Sequence, residues 1–336
     1  MDFYIAVLYN ERGSEEKKPA GTGDREEDIF MKAKGIAATV LSALLFGFTP
    51  IIASQTYTMG SNPETLTFYR NLFAVPMLFI VLCIQKDEMK LPKHAFKNLV
   101  IYGLLGCGVT TLTLYSAYQF VGVGTATTLH FLYPVFVALI CFFVYKEHLG
   151  RQKVIALIIA SVGVLFFIDP NGNVLASLPG IILAAGSGLT YAIYMVGMDK
   201  KGLKKLNPYK ISFYIACVVS IAMLIYNIPT GHIVFALPPK ALLYSFIVSL
   251  GTSFLGVVLL QVGIKHLSAT TAAIFCLFEP VSSCICSWLL LHEAFPAAKI
   301  VGCLVILGAV AVLMTAKSGP DQNVRTKVRT ADAKNR

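Results

Sequence analysis

Ten stretches of about twenty mostly apolar residues follow one another along this chain, at approximately residues 34–56, 63–85, 97–119, 122–145, 150–168, 178–198, 208–228, 240–263, 268–291 and 296–315. At about 1.5 Å of helical rise per residue, each is long enough to cross the roughly 30 Å hydrocarbon core of a bilayer. With 56% hydrophobic and 14% charged residues among 336, the chain lacks the polar side chains to cover a water-soluble surface of that size. The expected fold class is an all-α integral membrane protein with ten transmembrane helices. The eight cysteines all fall inside apolar runs, where they behave as small hydrophobes.

Charge sets the orientation. Thirteen Lys and Arg residues sit between even-numbered spans and their successors, from Lys86 to Lys265, against two, Lys240 and Lys299, in the other connections. Positively charged loops stay cytoplasmic, so both termini are expected inside, in the plasma or inner membrane. This placement accounts for the net charge of +10 with no nucleic acid as partner. Residues 1–33, polar and mixed in charge, read as a disordered cytoplasmic segment, and residues 316–336 as a basic cytoplasmic tail.

The chain repeats itself. Asn62-Pro63 with Phe68-Tyr69 recurs as Asn207-Pro208 with Phe213-Tyr214, and Gly35-Ile36 and Ser42 recur as Gly180-Ile181 and Ser187, all at an offset of 145. Thr125-Ala126, Pro134-Val135, Glu147 and Lys153 recur 146 residues later as Thr271-Ala272, Pro280-Val281, Glu293 and Lys299. Two five-helix copies follow, residues 34–168 and 178–315. An odd number of spans per copy forces the two to cross the bilayer in opposite directions, the inverted-repeat plan of secondary transporters with a midplane site between copies. The lysines support the inversion. The Thr56–Pro63 turn has none, while its counterpart, Lys200–Lys210, has five.

The segments Pro134-Val135, Tyr145-Lys146-Glu147-His148-Leu149 and Gly163-Val164, with Glu279-Pro280-Val281, Leu291-His292-Glu293 and Gly308, resemble the paired repeats of EamA-type proteins in the drug/metabolite transporter superfamily. Phe68-Tyr69-Arg70 is similar to that family's aromatic-then-arginine pattern; the second copy has Ile215 where the first has Arg70. The resemblance covers residues 34–315. It implies ten helices with both ends cytoplasmic, and export or exchange of small metabolites, amino acids among them.

The duplication also sorts candidate residues. Features written in both copies serve the shared fold; polar features written once are candidates for function. Pro134 and Pro280 occur in both copies, and each breaks a helical hydrogen bond near the middle of its span, freeing the carbonyls of His130 and Cys276. Such backbone is tolerated at membrane depth only where it is buried or lines a cavity. These two helices are therefore expected to flank the central pathway, with a packing kink as the alternative. Glu147 and Glu293, just beyond their spans, read as end-of-helix contacts.

Glu279 is roughly eleven residues, or about 16 Å, into span nine, where an ionised carboxylate is costly. It is a candidate for binding a proton or a substrate amine, against a neutral acid bonded to a neighbouring helix. His130, opposite Cys276 in the other copy, is a candidate pH-sensitive contact, against a satisfied core histidine. Arg70 either pairs with a substrate carboxylate or snorkels to the outer headgroups. Tyr133 is grouped with Arg70, His130, Pro134, Glu279 and Pro280 as a pathway candidate. Tyr69, Tyr102, Tyr115, Tyr118, Tyr191, Tyr194 and Tyr214 add further hydroxyls within spans.

No G-x-x-x-x-G-K-[ST], G-x-S-x-G or H-E-x-x-H stretch occurs, and no catalytic, cofactor or metal residue is expected. The leading expectation is a gradient-driven or facilitative carrier embedded in the lipid bilayer that exports small organic metabolites by alternating access, with proton coupling through Glu279 as one option. The competing classes are a membrane enzyme acting on lipid or acyl substrates, which would need clustered polar groups at one interface, and a sensor or partner subunit without solute flux.

Overall fold

The computed structural model describes residues 22–166, 178–291 and 297–314, and every regular element among them is helical. In chain order the membrane elements are α1 (Thr22–Tyr57), α2 (Pro63–Gln85), α3 (Lys93–Gly122), α4 (Thr125–Phe143), α5 (Arg151–Leu165), α6 (Leu178–Lys200), α7 (Pro208–Thr230) and α8 (Pro239–His266). They are followed by α9 in two pieces (Ala269–Phe275 and Phe278–Leu291) and α10 (Ala297–Met314). Among the described residues, nine of these have the length and apolar character of a membrane span. The expected fifth span, α5, is a 15-residue helix within the described range.

One boundary departs from expectation. Residues 22–33 are helical and continue into the first span, so α1 runs for 36 residues. Residues 1–21, the tail 316–336 and the His292–Glu293 turn lie outside the described residues.

The duplicated Asn-Pro signals are helix starts. Asn62 accepts the Thr65 N–H at 2.7 Å ahead of Pro63, and Asn207 accepts the Tyr209 N–H at 2.9 Å ahead of Pro208. Each side chain satisfies an orphan donor of the first turn, and proline at the first helical position has no N–H to lose.

Packing follows the duplication. Helix α2 packs against α7 and α5 against α10, so each meets its own counterpart. Helix α1 packs on α8 and α9 as α6 packs on α3 and α4. Adding five to each helix number of one set gives the other, as a two-fold relation between the copies requires. The largest core cluster runs through both copies, from Phe68 and Leu99 to Ile264 and Ile306.

Candidate functional site

Two kinds of helix irregularity, each written in both copies, shape the centre of the bundle. The first is the proline break. Helix α4 is interrupted at Phe131-Leu132 and α9 at Cys276-Leu277, just before Pro134 and Pro280. Pro134 offers no N–H to the His130 carbonyl, and α6 closes over that oxygen through Gly188, where a Cβ would come within 2.8 Å of it. In α9 the Cys276 carbonyl accepts the Glu279 N–H at 2.9 Å instead.

The second is a π-helical turn, Leu104–Val109 in α3 and Leu250–Gly256 in α8, with starts 146 residues apart. One extra residue enters the helix, so a hydrogen bond reaches back five positions; Thr110 also donates its hydroxyl to the Leu105 carbonyl at 2.8 Å. Gly106 leaves room for the Tyr194 ring, whose Cγ would stand 2.2 Å from a Cβ there. Gly103, Gly106 and Gly108 lie in and beside the widened turn of α3, which sequence reasoning missed. The spaced glycines were the visible signal.

Between these irregular turns lies a cavity lined from both copies, by Arg70, Tyr115, Tyr118, His130, Tyr191 and Glu279 among others. Its volume is about 80 Å³, room for a few water molecules and below the range of drug-sized clefts. Of the six pathway candidates, Arg70, His130 and Glu279 meet here. Tyr133, Pro134 and Pro280 are buried behind the wall and do not line it.

Arg70 is 6% exposed. Its Nε donates to the Ser253 hydroxyl at 3.1 Å and its Nη1 to the Tyr115 hydroxyl at 3.3 Å, while Ser249 donates to its carbonyl at 2.6 Å. The side chain therefore reaches inward to the π-helical turn of α8 and does not snorkel to the headgroups. His130 shares a hydrogen bond with Ser187 through Nδ1 at 2.9 Å and sits in an aromatic box, 5.4 Å between ring centroids from both Tyr133 and Tyr191. Tyr191 in turn stacks on Tyr194 at 5.7 Å. The Glu279 side chain makes no ion pair and no hydrogen bond among the described residues, although its backbone is bonded on both sides.

At the lysine-rich end of the bundle, Asp199 closes the last turn of α6 with a side chain 1% exposed. It pairs with Lys200 at 3.0 Å and Lys204 at 2.6 Å, and accepts the Ala269 N–H at the start of α9 at 3.2 Å. Lys200 also pairs with Glu147 beyond α4, and Lys153 of α5 donates to Ser268 at 3.4 Å. Glu147 is thus the end-of-helix contact expected of it. Asp199 escaped sequence reasoning, although an acid in a helix's last turn opposes the dipole and signals a partner elsewhere.

A helical bundle built from two copies across a lipid bilayer, with polar side chains from both meeting in a central cavity, defines a multi-pass membrane transporter for small-molecule solutes. The EamA-like transporter family model matches residues 33–168 and again 178–315, and the chain belongs to that family. It is 25% identical over 278 residues to an uncharacterized transporter of Archaeoglobus fulgidus, covering 83% of this chain and 95% of that one. With the uncharacterized transporter YoaV of Bacillus subtilis it shares 27% identity over 245 residues, 69% of this chain and 80% of the other. The pseudopaline exporter CntI of Pseudomonas aeruginosa is 23% identical over 289 residues, 85% of this chain and 97% of its own. A crystal structure at 16% identity superposes with a TM-score of 0.70 over 84% of this chain and 97% of that one, a likeness of fold.

Proposed function

We propose that this chain is a secondary carrier that exports small organic metabolites across the plasma or inner membrane by alternating access, with both termini in the cytoplasm. One observation carries the reading: three ionisable groups from different helices, Arg70 of α2, His130 of α4 and Glu279 of α9, line one central cavity. Buried ionisable residues at membrane depth are costly and mark solute or ion paths. Glu279, without a partner among the described residues, is the group positioned to take up and release a coupling proton. The Asp199 cluster is the closed gate at the cytoplasmic end, since it ties α4, α6 and α9 together below the cavity. The export direction is supported by the likeness to the pseudopaline exporter.

The test is counterflow of a metabolite panel in proteoliposomes, with and without a proton gradient. Saturable exchange of at least one solute, changed by the gradient, is the expected result. A reconstituted, folded protein that exchanges none would overturn the reading.

A further inference from the structure

Around Arg70 the cavity wall holds hydrogen-bond donors that no acceptor uses among the described residues. Guanidinium carries five N–H groups. Two are used, on Ser253 and Tyr115, and among the described residues Arg70 has no carboxylate within ion-pair distance. The Tyr115 hydroxyl accepts from Arg70, so its own proton is free to be given. Two more tyrosines join it. The Tyr115 and Tyr118 ring centroids are 5.5 Å apart, those of Tyr57 and Tyr115 are 6.4 Å apart, and both Tyr57 and Tyr118 lie within electrostatic reach of Arg70. The hydroxyls of Tyr57 and Tyr118 are buried and have no hydrogen-bond partner. A buried cation without a counter-ion and buried donors without acceptors each cost free energy, and one anion placed among them relieves both.

We infer that Arg70, Tyr115 and Tyr118, which line the cavity, form an oxyanion subsite that binds a carboxylate of the carried solute, with Tyr57 packed against the Tyr115 ring behind it. The charge count selects a monoanion. Arg70 is the one Lys or Arg among the residues lining the cavity and Glu279 the one acid, so with Glu279 protonated a monoanion leaves the cavity neutral and a dianion leaves a net negative charge in the low-dielectric interior. The rings of Tyr191 and Tyr194 across the cavity offer an apolar surface for the rest of the solute. This subsite rests on the carrier reading only in calling its ligand a transported solute; the binding itself needs no flux.

The test uses the purified full chain in detergent, with equilibrium binding of three ligands sharing one ring: phenylacetate, its neutral amide phenylacetamide, and phenyl phosphate. Phenylacetate is expected to bind saturably and at least tenfold more tightly than the other two. Loss of one hydrogen bond to a charged group weakens binding by about tenfold or more, so Tyr118→Phe should weaken phenylacetate by that factor and leave phenylacetamide unchanged. The variant removes one oxygen that bonds nothing in the empty protein, so it should fold. Phenylacetate binding no tighter than its amide, tighter binding of phenyl phosphate, or a Tyr118→Phe variant that binds phenylacetate like the parent would each overturn the assignment. The two readings fail separately. If phenylacetate binds as expected and no panel solute exchanges in liposomes, the carrier reading falls and the subsite stands. Exchange without phenylacetate binding gives the reverse.

Discussion

The carboxylate of Asp199 accepts the backbone N–H of Ala269 at 3.2 Å, so the last turn of α6 caps the first turn of α9. The same side chain holds Lys200 and Lys204. Asp199→Asn keeps a capping oxygen and removes the charge that pairs with both lysines. It should destabilise the fold by about 1–3 kcal/mol, the cost of stranding buried polar groups, discounted for the partial exposure of the two lysines. It should also speed cytoplasmic labelling of a cysteine placed at Thr271. A thermal unfolding midpoint and a labelling rate equal to the parent's would remove Asp199 from the gate.

Glu279 has the depth and the unpartnered side chain of a coupling site. Glu279→Gln keeps the shape and the ability to donate but cannot exchange a proton. Solute exchange at equilibrium should persist in this variant while its response to an imposed pH gradient disappears. The measurement is gradient-driven uptake beside gradient-free counterflow in the same vesicles. Unchanged coupling would place the proton elsewhere.

Gly106 marks the π-helical turn of α3. A Cβ there would stand 2.2 Å from Tyr194 Cγ, at the root of a ring that has no free end to swing away. Gly106→Ala should cost about 1–3 kcal/mol by overpacking and reduce exchange. Gly186→Ala, in α6 with nothing within 4 Å of the added methyl, should be neutral or stabilising by up to about 1 kcal/mol. Thermal midpoints of the pair decide; equal effects would mean that the Tyr194 contact does not matter.

The opposed crossing of the two copies makes a labelling prediction. Thr58 and Lys205 are exposed and stand at equivalent turns, before α2 and before α7. In a cysteine-free background, Thr58→Cys should react with a membrane-impermeant maleimide from outside intact cells, and Lys205→Cys only after the membrane is opened. Reaction of both from one side would refute the orientation.

Much of the fold was legible in the sequence because bilayer thickness and helical rise set span length directly, and the Asn62/Asn207 and Pro134/Pro280 pairs exposed the duplication. The candidate site was legible residue by residue but not as an assembly. Arg70, His130 and Glu279 stood out as ionisable groups in apolar runs, yet their meeting in one cavity depends on how α2, α4 and α9 pack. The π-helical turns left only spaced glycines as a sign in the sequence, because a shift of hydrogen-bond register leaves composition unchanged. Tyr133, expected as a pathway hydroxyl, is packed in the core, 0% exposed, outside the cavity lining.

Tyr133 and Glu279 hold the same place in the two copies, each one residue before the shared proline. In a carrier working as proposed the copies would trade roles, and two identical halves would make the inward- and outward-facing states equal in free energy, related by the two-fold axis. An aromatic ring facing a carboxyl group across that symmetry lifts the degeneracy. The resting orientation of the empty carrier would then be set by the positions at which the copies differ, this one with Arg70 and Ile215 and with His130 and Cys276.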